Sequence, residues 1–250
     1  MIHISLRLLF TTRFFSMKSS YIFSAIICMI FFLSSCNKAS PPVTNRASVK
    51  ATEIIGIDIS KYQGSIDFNK IKAAGIRYVF VRATEGVTYQ DANFKTNYLA
   101  ARAAGLTTGA YHFYETNDDP SAQLTNFTSA VILQPGDLPP VVDIEKLHDN
   151  DQLNLTINIQ TYLDGLESHY GVKPIIYSGL NFSNQYMTEF GDYPLWLAEY
   201  RNDKPMLPNG WSDWTFWQWS QSGKIDGING HVDTDRFNGD ETRFQKMLIK

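Results

Sequence analysis

From Glu53 onward, short apolar runs alternate with stretches whose apolar residues recur at helical spacing. Ile54 to Ser60, Tyr78 to Thr84, Thr107 to Tyr114, Val141 to Glu145 and Pro174 to Ser178 read as strands. Between and after them, Ile66 to Ala74, Asp91 to Ala104, Pro120 to Leu133, Leu153 to Tyr170 and Asn181 to Phe190 read as helices. Strands that are apolar on both faces and separated by helices indicate parallel βαβ units. Three more strand-like runs follow, Leu195 to Tyr200, Thr215 to Ser220 and His231 to Phe237, joined by short segments rich in Gly, Pro and Trp. Eight strands in ~200 residues predict a single α/β domain over 53–250, a TIM-like barrel of (β/α)5(β)3 type, since a full barrel takes ~250 residues. An open doubly wound sheet is the competing architecture.

The punctuation agrees with this pattern. Gly75, Gly105 and Gly171 each follow a helical run and suit a left-handed C-terminal cap. Asp119-Pro120 places an N-cap residue before a proline at the first helical position.

The N-terminal segment follows a different pattern. Lys18 precedes an apolar run from Tyr21 to Leu33, which is too short to span a bilayer comfortably and reads as the core of an export signal. Leu33-Ser34-Ser35-Cys36 closes the run and resembles a bacterial lipobox, which implies a lipidated Cys36 and an exported lipoprotein held at a membrane facing the periplasm or cell surface. Cys28 reads as an apolar residue of the signal, and Met17-Lys18 offers an alternative start. Residues 1–36 are thus expected to be a signal peptide. Residues 37–52, with Ser40-Pro41-Pro42 and no apolar periodicity, are expected to form a flexible tether. With Cys36 lipidated, no disulfide is available to the mature chain.

Composition narrows the partners. The 250 residues are 44% apolar, 14% aromatic and 19% charged, an ordinary globular balance that excludes disordered and collagen-like chains. Arg7, Arg13 and Lys18 are the only charges before residue 37, so the remainder holds 19 basic against 25 acidic side chains. A mildly acidic monomer body argues against nucleic acid as a partner.

In a β/α barrel the working residues sit at the carboxyl ends of the strands. The polar groups expected there are Asp58, Glu85, Tyr111, His112, Asp143, Glu145 and Tyr177, followed by Tyr200, Gln218 and Asp233. Asp143 and Glu145 stand out. Residues two apart on a strand share a face, with α-carbons ~6.6–6.8 Å apart. Carboxylates held that close resist joint ionisation, and one of them is raised toward the range of a general acid. The longer Glu145 reaches further toward a glycosidic oxygen and is expected to protonate the leaving group and then activate water. The apolar entry Pro139-Pro140-Val141-Val142 distinguishes the pair from acids on a solvated loop edge.

Asp58 lies inside an apolar strand, where a charge is either paired or functional. Asp233 is similar, but Asp235 shares its strand face, so two acids compete for that position. Glu85 reads as an ion-pair partner of Arg82. The five tryptophans, Trp196, Trp211, Trp214, Trp217 and Trp219, divide between core packing and stacking on sugar faces. The histidines show no ligand spacing, so no metal or other cofactor is expected, and His112 reads as a hydrogen-bonded wall of the site. Neither a phosphate-binding loop nor a Gly-x-Ser-x-Gly turn is present.

In order, the motifs resemble glycoside hydrolase family 25, the Chalaropsis-type lysozymes. The similarity rests on Gly56-Ile57-Asp58-Ile59-Ser60 with Gln63-Gly64 and Ile66-Asp67-Phe68, on Phe80 to Gly86, and on Gly109-Ala110-Tyr111-His112-Phe113. It continues through Asp143-Ile144-Glu145, Leu195 to Ala198, Trp217 to Ser220 and Val232-Asp233. It implies a metal-free 1,4-β-N-acetylmuramidase acting on peptidoglycan. Glu145 matches the acid/base, Asp143 the residue that orients the substrate's acetamido group, and Asp58 and Asp233 the remaining site acids. Tyr111, His112, Tyr177, Trp196, Tyr200 and Gln218 become candidate substrate contacts. The chain departs from the usual family pattern at Arg82, where lysine is frequent, and at Asp235, where asparagine is frequent.

Two alternatives compete. A chitinase-like glycosidase also uses Asp-x-Glu, but its longer signature needs an acid where Val141 stands. A lectin-like surface lipoprotein would bind peptidoglycan without cutting it, and would have no use for all four acids.

Overall fold

The computed structural model describes residues 53–148 and 152–250. The expected export segment, lipidated Cys36 and tether lie outside the described residues. Among those described, no helix is long and apolar enough to cross a membrane.

The chain runs β1 (Ile55–Ile59), α1 (Phe68–Ala73), β2 (Tyr78–Glu85), β3 (Tyr89–Gln90), α2 (Phe94–Ala103), β4 (Thr107–Phe113), α3 (Pro120–Ala130), β5 (Val141–Asp143) and α4 (Gln152–Tyr170). It continues through β6 (Ile175–Gly179), α5 (Leu180–Tyr186), β7 (Leu195–Ala198), β8 (Phe216–Gly223), β9 (Val232–Phe237) and α6 (Glu241–Met247). The sheet order is β1-β9-β8-β7-β6-β5-β4-β2-β3, and β1 also pairs with β2, so eight strands close into a barrel with the two-residue β3 appended outside the ring. Closure rules out the open doubly wound sheet. The single α/β barrel with helices over its first five units is the expected architecture.

Period-two alternation divides the apolar residues into two layers. Tyr78, Phe80, Val141, Trp196 and Phe216 fill the interior, while Val79, Val81, Val142, Leu195 and Leu197 face the helices. Phe80 stacks on Trp196 with centroids 4.3 Å apart, and Phe216 meets Tyr78 and Phe237 at 5.2 Å. Two motif glycines make room for these rings. A Cβ on Gly56 would lie 2.1 Å from the Tyr78 ring, and one on Gly109 would lie 2.4 Å from Phe80.

The helix signals are realised. Asp119 accepts a hydrogen bond from the Ala122 amide ahead of Pro120, and Gly75, Gly105 and Gly171 take positive φ.

Four features differ from the expectation. First, β9 runs antiparallel to both β8 and β1, because only residues 224–231 separate it from β8 and a parallel return needs a crossover of a dozen or more residues. Second, β5 ends at Asp143, so Glu145 lies just beyond the ladder instead of within it. Third, the short β3 pairs with the end of β2. Fourth, α6, capped by Asp240 on the Arg243 amide, places Phe244 against Phe237 and Tyr78 at the end of the barrel interior.

Candidate active site

The carboxyl ends of the parallel strands surround a cleft of about 250 Å³. Its lining includes Asp58 from β1, Arg82 from β2, Tyr111 from β4 and Asp143 at the end of β5 with Glu145 just beyond it. Tyr177 from β6, Trp196 and Tyr200 from β7 and its following loop, Gln218 from β8 and Asp233 from β9 complete the ring. Asp233 sits at the amino end of its strand. It reaches the mouth because β9 runs in the opposite direction. Residues far apart in sequence therefore meet through the alternation of the strands and one reversal.

Asp143 and Glu145 both line the cleft despite the early end of β5, because the chain stays extended. The Ile144 amide donates to the Tyr177 carbonyl at 3.0 Å, and the Ser178 hydroxyl donates to the Ile144 carbonyl at 2.7 Å. Ile144 is buried against the helices, so its two neighbours turn toward the cleft. The two acids differ in depth: Asp143 is buried and Glu145 exposed. Burial first, then the Glu145 charge and a hydrogen bond shared with it, and then Asp58, raise the Asp143 carboxyl well above the usual range, against an opposing pull from Arg82. The shorter acid of the pair is thus raised, and it stays protonated where an ordinary carboxyl would ionise. Asp143 Oδ1 is buried and meets no donor among the described residues.

Asp58 and Asp233 form a second pair. Burial, followed by the charges of Asp235 and Asp233, raises Asp58 well above the ordinary range. Asp233 is also raised, by burial and by Glu145, while a hydrogen bond from Asp58 opposes the shift. Gln218 holds Asp58 in place: its amide N–H donates to Asp58 Oδ2 at 2.8 Å, and its Oε1 accepts from both Tyr177 and Tyr200 hydroxyls at 2.9 Å. Two donors on Oε1 fix the amide orientation. Burial, then Asp233 and the other acids, push the Tyr200 phenol up to about 12, so it remains a donor. Asp235, the competitor of Asp233, lies below the cleft. It is fully buried, its Oδ1 accepts from Trp196 Nε1 at 2.9 Å, and it does not line the cavity.

His112 is a correction. Tyr111 points into the barrel, so by strand alternation His112 points outward, where it is completely buried against α3 and α4. Gln123 Oε1 already accepts the Glu115 amide, so it accepts His112 Nε2–H as well, which leaves Nδ1 to take the Thr84 hydroxyl at 2.7 Å. Burial lowers the imidazole to about 4, and it stacks on Tyr162 as a neutral core group. It is not a wall of the site.

Glu85 is the ion-pair partner of Arg82, at 3.1 Å, and Arg82 also reaches Asp91 at 3.3 Å. Five cleft residues were not read as site residues in the sequence: Ser60, Tyr62, Arg82, Phe113 and Gln221. Arg82 could have been found as the single cation in an apolar strand with the same parity as Phe80. Tyr62, 76% exposed and beneath the Arg82 guanidinium, lies in the turn after β1, where no periodicity marks it. Of the tryptophans, Trp196, Trp211 and Trp217 are buried, and of these Trp196 alone lines the cleft. Among the described residues no group of three or more His, Cys, Asp or Glu is arranged to hold a metal ion.

This geometry places a ring of acids, tyrosines and one tryptophan around a cleft, and the chain is similar to known proteins in sequence and fold. The chain is 37% identical over 201 residues to the uncharacterized protein YegX of Escherichia coli K12, covering 78% of this chain and 73% of that one. It is 32% identical over 219 residues to lysozyme M1 of Streptomyces globisporus, covering 82% and 74%. The crystal structure of the bacterial lysozyme from Streptomyces coelicolor superposes with a TM-score of 0.75 at 31% identity, covering 78% of this chain and 96% of that one. Residues 57–228, which carry the cleft's parallel strands from Ile57 of β1 onward together with Asp143 and Glu145, match the model of glycosyl hydrolases family 25, and the chain belongs to that family.

Proposed function

We propose that this protein is a lysozyme that hydrolyses the β-1,4 bond between N-acetylmuramic acid and N-acetylglucosamine in peptidoglycan. Family membership and the lysozyme relatives support the activity. The observation that carries the assignment of roles is the convergence of two acid pairs on one cleft, where Asp143 Oδ1 meets no donor among the described residues.

In the free enzyme Asp143 carries a proton beside Glu145, with which it shares a hydrogen bond. A substrate acetamido N–H docking on Asp143 takes the place of that proton, which passes to Glu145. Glu145 then gives it to the glycosidic oxygen as the C1–O bond breaks, and the acetamido carbonyl oxygen closes on C1. Asp143, now a carboxylate, balances the positive charge that develops on the ring so formed. Water then attacks C1, gives its proton to Glu145 and reopens the ring with retained configuration. This substrate-assisted route is one of the recognised exceptions to the scheme in which a protein carboxylate is the nucleophile. Asp58 and Asp233 hold the opposite wall, while Tyr111, Tyr177, Trp196, Tyr200 and Gln218 contact or orient the sugars.

The test is digestion of purified peptidoglycan followed by identification of the new reducing ends. Muramic acid ends support the proposal. Glucosamine ends would favour a chitinase-like specificity, against which Val141 already stands, its side chain being buried in the apolar barrel interior where the longer acidic signature needs a carboxyl. Absence of new ends would favour a binding lipoprotein.

The remaining assignments concern placement. The protein is exported, anchored by lipid on Cys36, tethered through residues 37–52 and monomeric, with the cleft presented to the glycan strands of the wall. Cys36→Ser should move the protein from the membrane fraction to the soluble one. Its retention in the membrane fraction would reject the anchor.

A further inference from the structure

The strand β8 continues past the barrel. It pairs with β7 only from Phe216 to Gln218, yet runs on to Gly223 with β9 as its sole partner. The β8–β9 hairpin therefore rises above the mouth as a wall. Facing it is the loop after β7, and between them lies a second hollow of about 310 Å³ whose lining includes Tyr200, Asn202, Trp219 and Gln221. Tyr200 and Gln221 also line the catalytic cleft, so the two spaces adjoin.

We propose that this hollow is a further sugar subsite, occupied by a neutral pyranose of the same glycan strand beyond the pair at the cleaved bond. The inference rests on the muramidase reading above. Four observations carry it. Tyr200 is 53% exposed, yet its hydroxyl is tied to Gln218, so it presents a pre-oriented ring instead of a mobile one. Trp219 is among the lining residues, its ring held by the Arg236 guanidinium at 4.5 Å, and such rings stack on the apolar faces of sugars. The Asn202 and Gln221 amides and the Ser220 and Ser222 hydroxyls supply neutral donors and acceptors for sugar hydroxyls. Arg201, the cation of the hollow, is committed to Asp203 at 2.7 Å and Glu199 at 3.3 Å, so the site offers an anionic stem peptide no free charge. The last point favours glycan over peptide as the occupant.

The subsite adds affinity only for substrates long enough to reach it. The experiment compares kcat/KM for the wild type, Trp219→Ala and Asn202→Ala on two substrates, long glycan strands stripped of peptide and a short chromogenic disaccharide glycoside. Each variant should lose on long strands, Trp219→Ala by about tenfold, equivalent to ~1.4 kcal/mol. Both should stay within about twofold of wild type on the short substrate. Asn202 is exposed, so its variant keeps the test valid if Trp219→Ala unfolds. Equal losses on both substrates, or none on either, overturn the subsite while leaving the muramidase intact. No loss on the stripped strands, with a loss when the same variants are assayed on strands that keep their peptides, overturns it in favour of the stem peptide. A wild type that cleaves neither substrate rejects the function and the subsite with it.

Discussion

The two acid pairs of the cleft look alike but are held differently. In each, a deeply buried aspartate with a raised carboxyl faces a more open acid: Asp143 with Glu145, and Asp58 with Asp233. Asp58 is already engaged, because Gln218 donates to it and two tyrosine hydroxyls fix that glutamine. Asp143 keeps one buried oxygen without a donor. A satisfied buried acid is a fixed support, whereas an unsatisfied one is poised for a ligand, since leaving it unmet costs about 1–3 kcal/mol. On the proposed mechanism, the difference assigns chemistry to the β5 side and positioning to the β1–β9 side.

The largest test of that separation is Glu145→Gln. It should lower kcat by ~10²–10⁴-fold, the contribution of general acid–base catalysis, while thermal unfolding stays unchanged because the side chain is exposed. Next, Asp143→Asn and Asp58→Asn should diverge. The first removes a charge needed as the acetamido ring becomes positive and should cost on the order of 10²-fold in kcat. The second preserves both hydrogen bonds of a carboxyl that keeps its proton, and steady-state kinetics should show a loss at least ~10-fold smaller than for Asp143→Asn. Equal losses would erase the distinction between the pairs. Gln218→Leu should cost roughly tenfold in kcat/KM by freeing Asp58 and both tyrosines, with ~1–3 kcal/mol of stability lost in chemical denaturation.

The smallest expected effect is on stability, at Asp235. Burial raises its carboxyl well above the ordinary 3.8, only partly offset by the bond from Trp196, with Asp233 adding to the rise. The folded state thus binds the proton more tightly than the unfolded chain. Stability is full below the ordinary carboxyl value and is lost as pH rises toward the raised one. Asp235→Asn keeps an acceptor for Trp196 and removes that loss. Its gain over wild type in thermal unfolding should open above pH ~4 and reach ~1 kcal/mol or more near neutrality, ~2–4 °C for a domain of this size. A gain that shrinks with rising pH would contradict the assignment.

Much of the barrel was legible because strands such as Tyr78 to Thr84 and helices such as Leu153 to Tyr170 have distinct apolar periods and are separated by glycine and proline signals. The facing of β4 was not. A strand apolar on both sides carries no mark of which parity is interior, so Tyr111 and His112 could not be separated until β4 was docked between β2 and β5. The acids were legible as types and positions, but their depth was not: the Asp-x-Glu spacing shows a shared face, whereas the burial of Asp143 at the end of β5, which raises its carboxyl, appears only in the fold. The reversal of β9 follows from the length of its connection to β8. The helix α6 had only an Asp240 cap and two large apolar residues, Phe244 and Met247, to announce it.

The central claim is that the substrate's own acetamido group, received by Asp143, is the nucleophile. It is tested most directly by the single-turnover cleavage rate of a peptidoglycan oligosaccharide whose muramic acid at the scissile bond carries a free amine in place of the acetamido group. The account predicts a fall of about 10³-fold at saturating substrate, since the chemical step loses its intramolecular nucleophile. Cleavage within a few-fold of the N-acetylated substrate would contradict it and make a protein carboxylate the nucleophile instead.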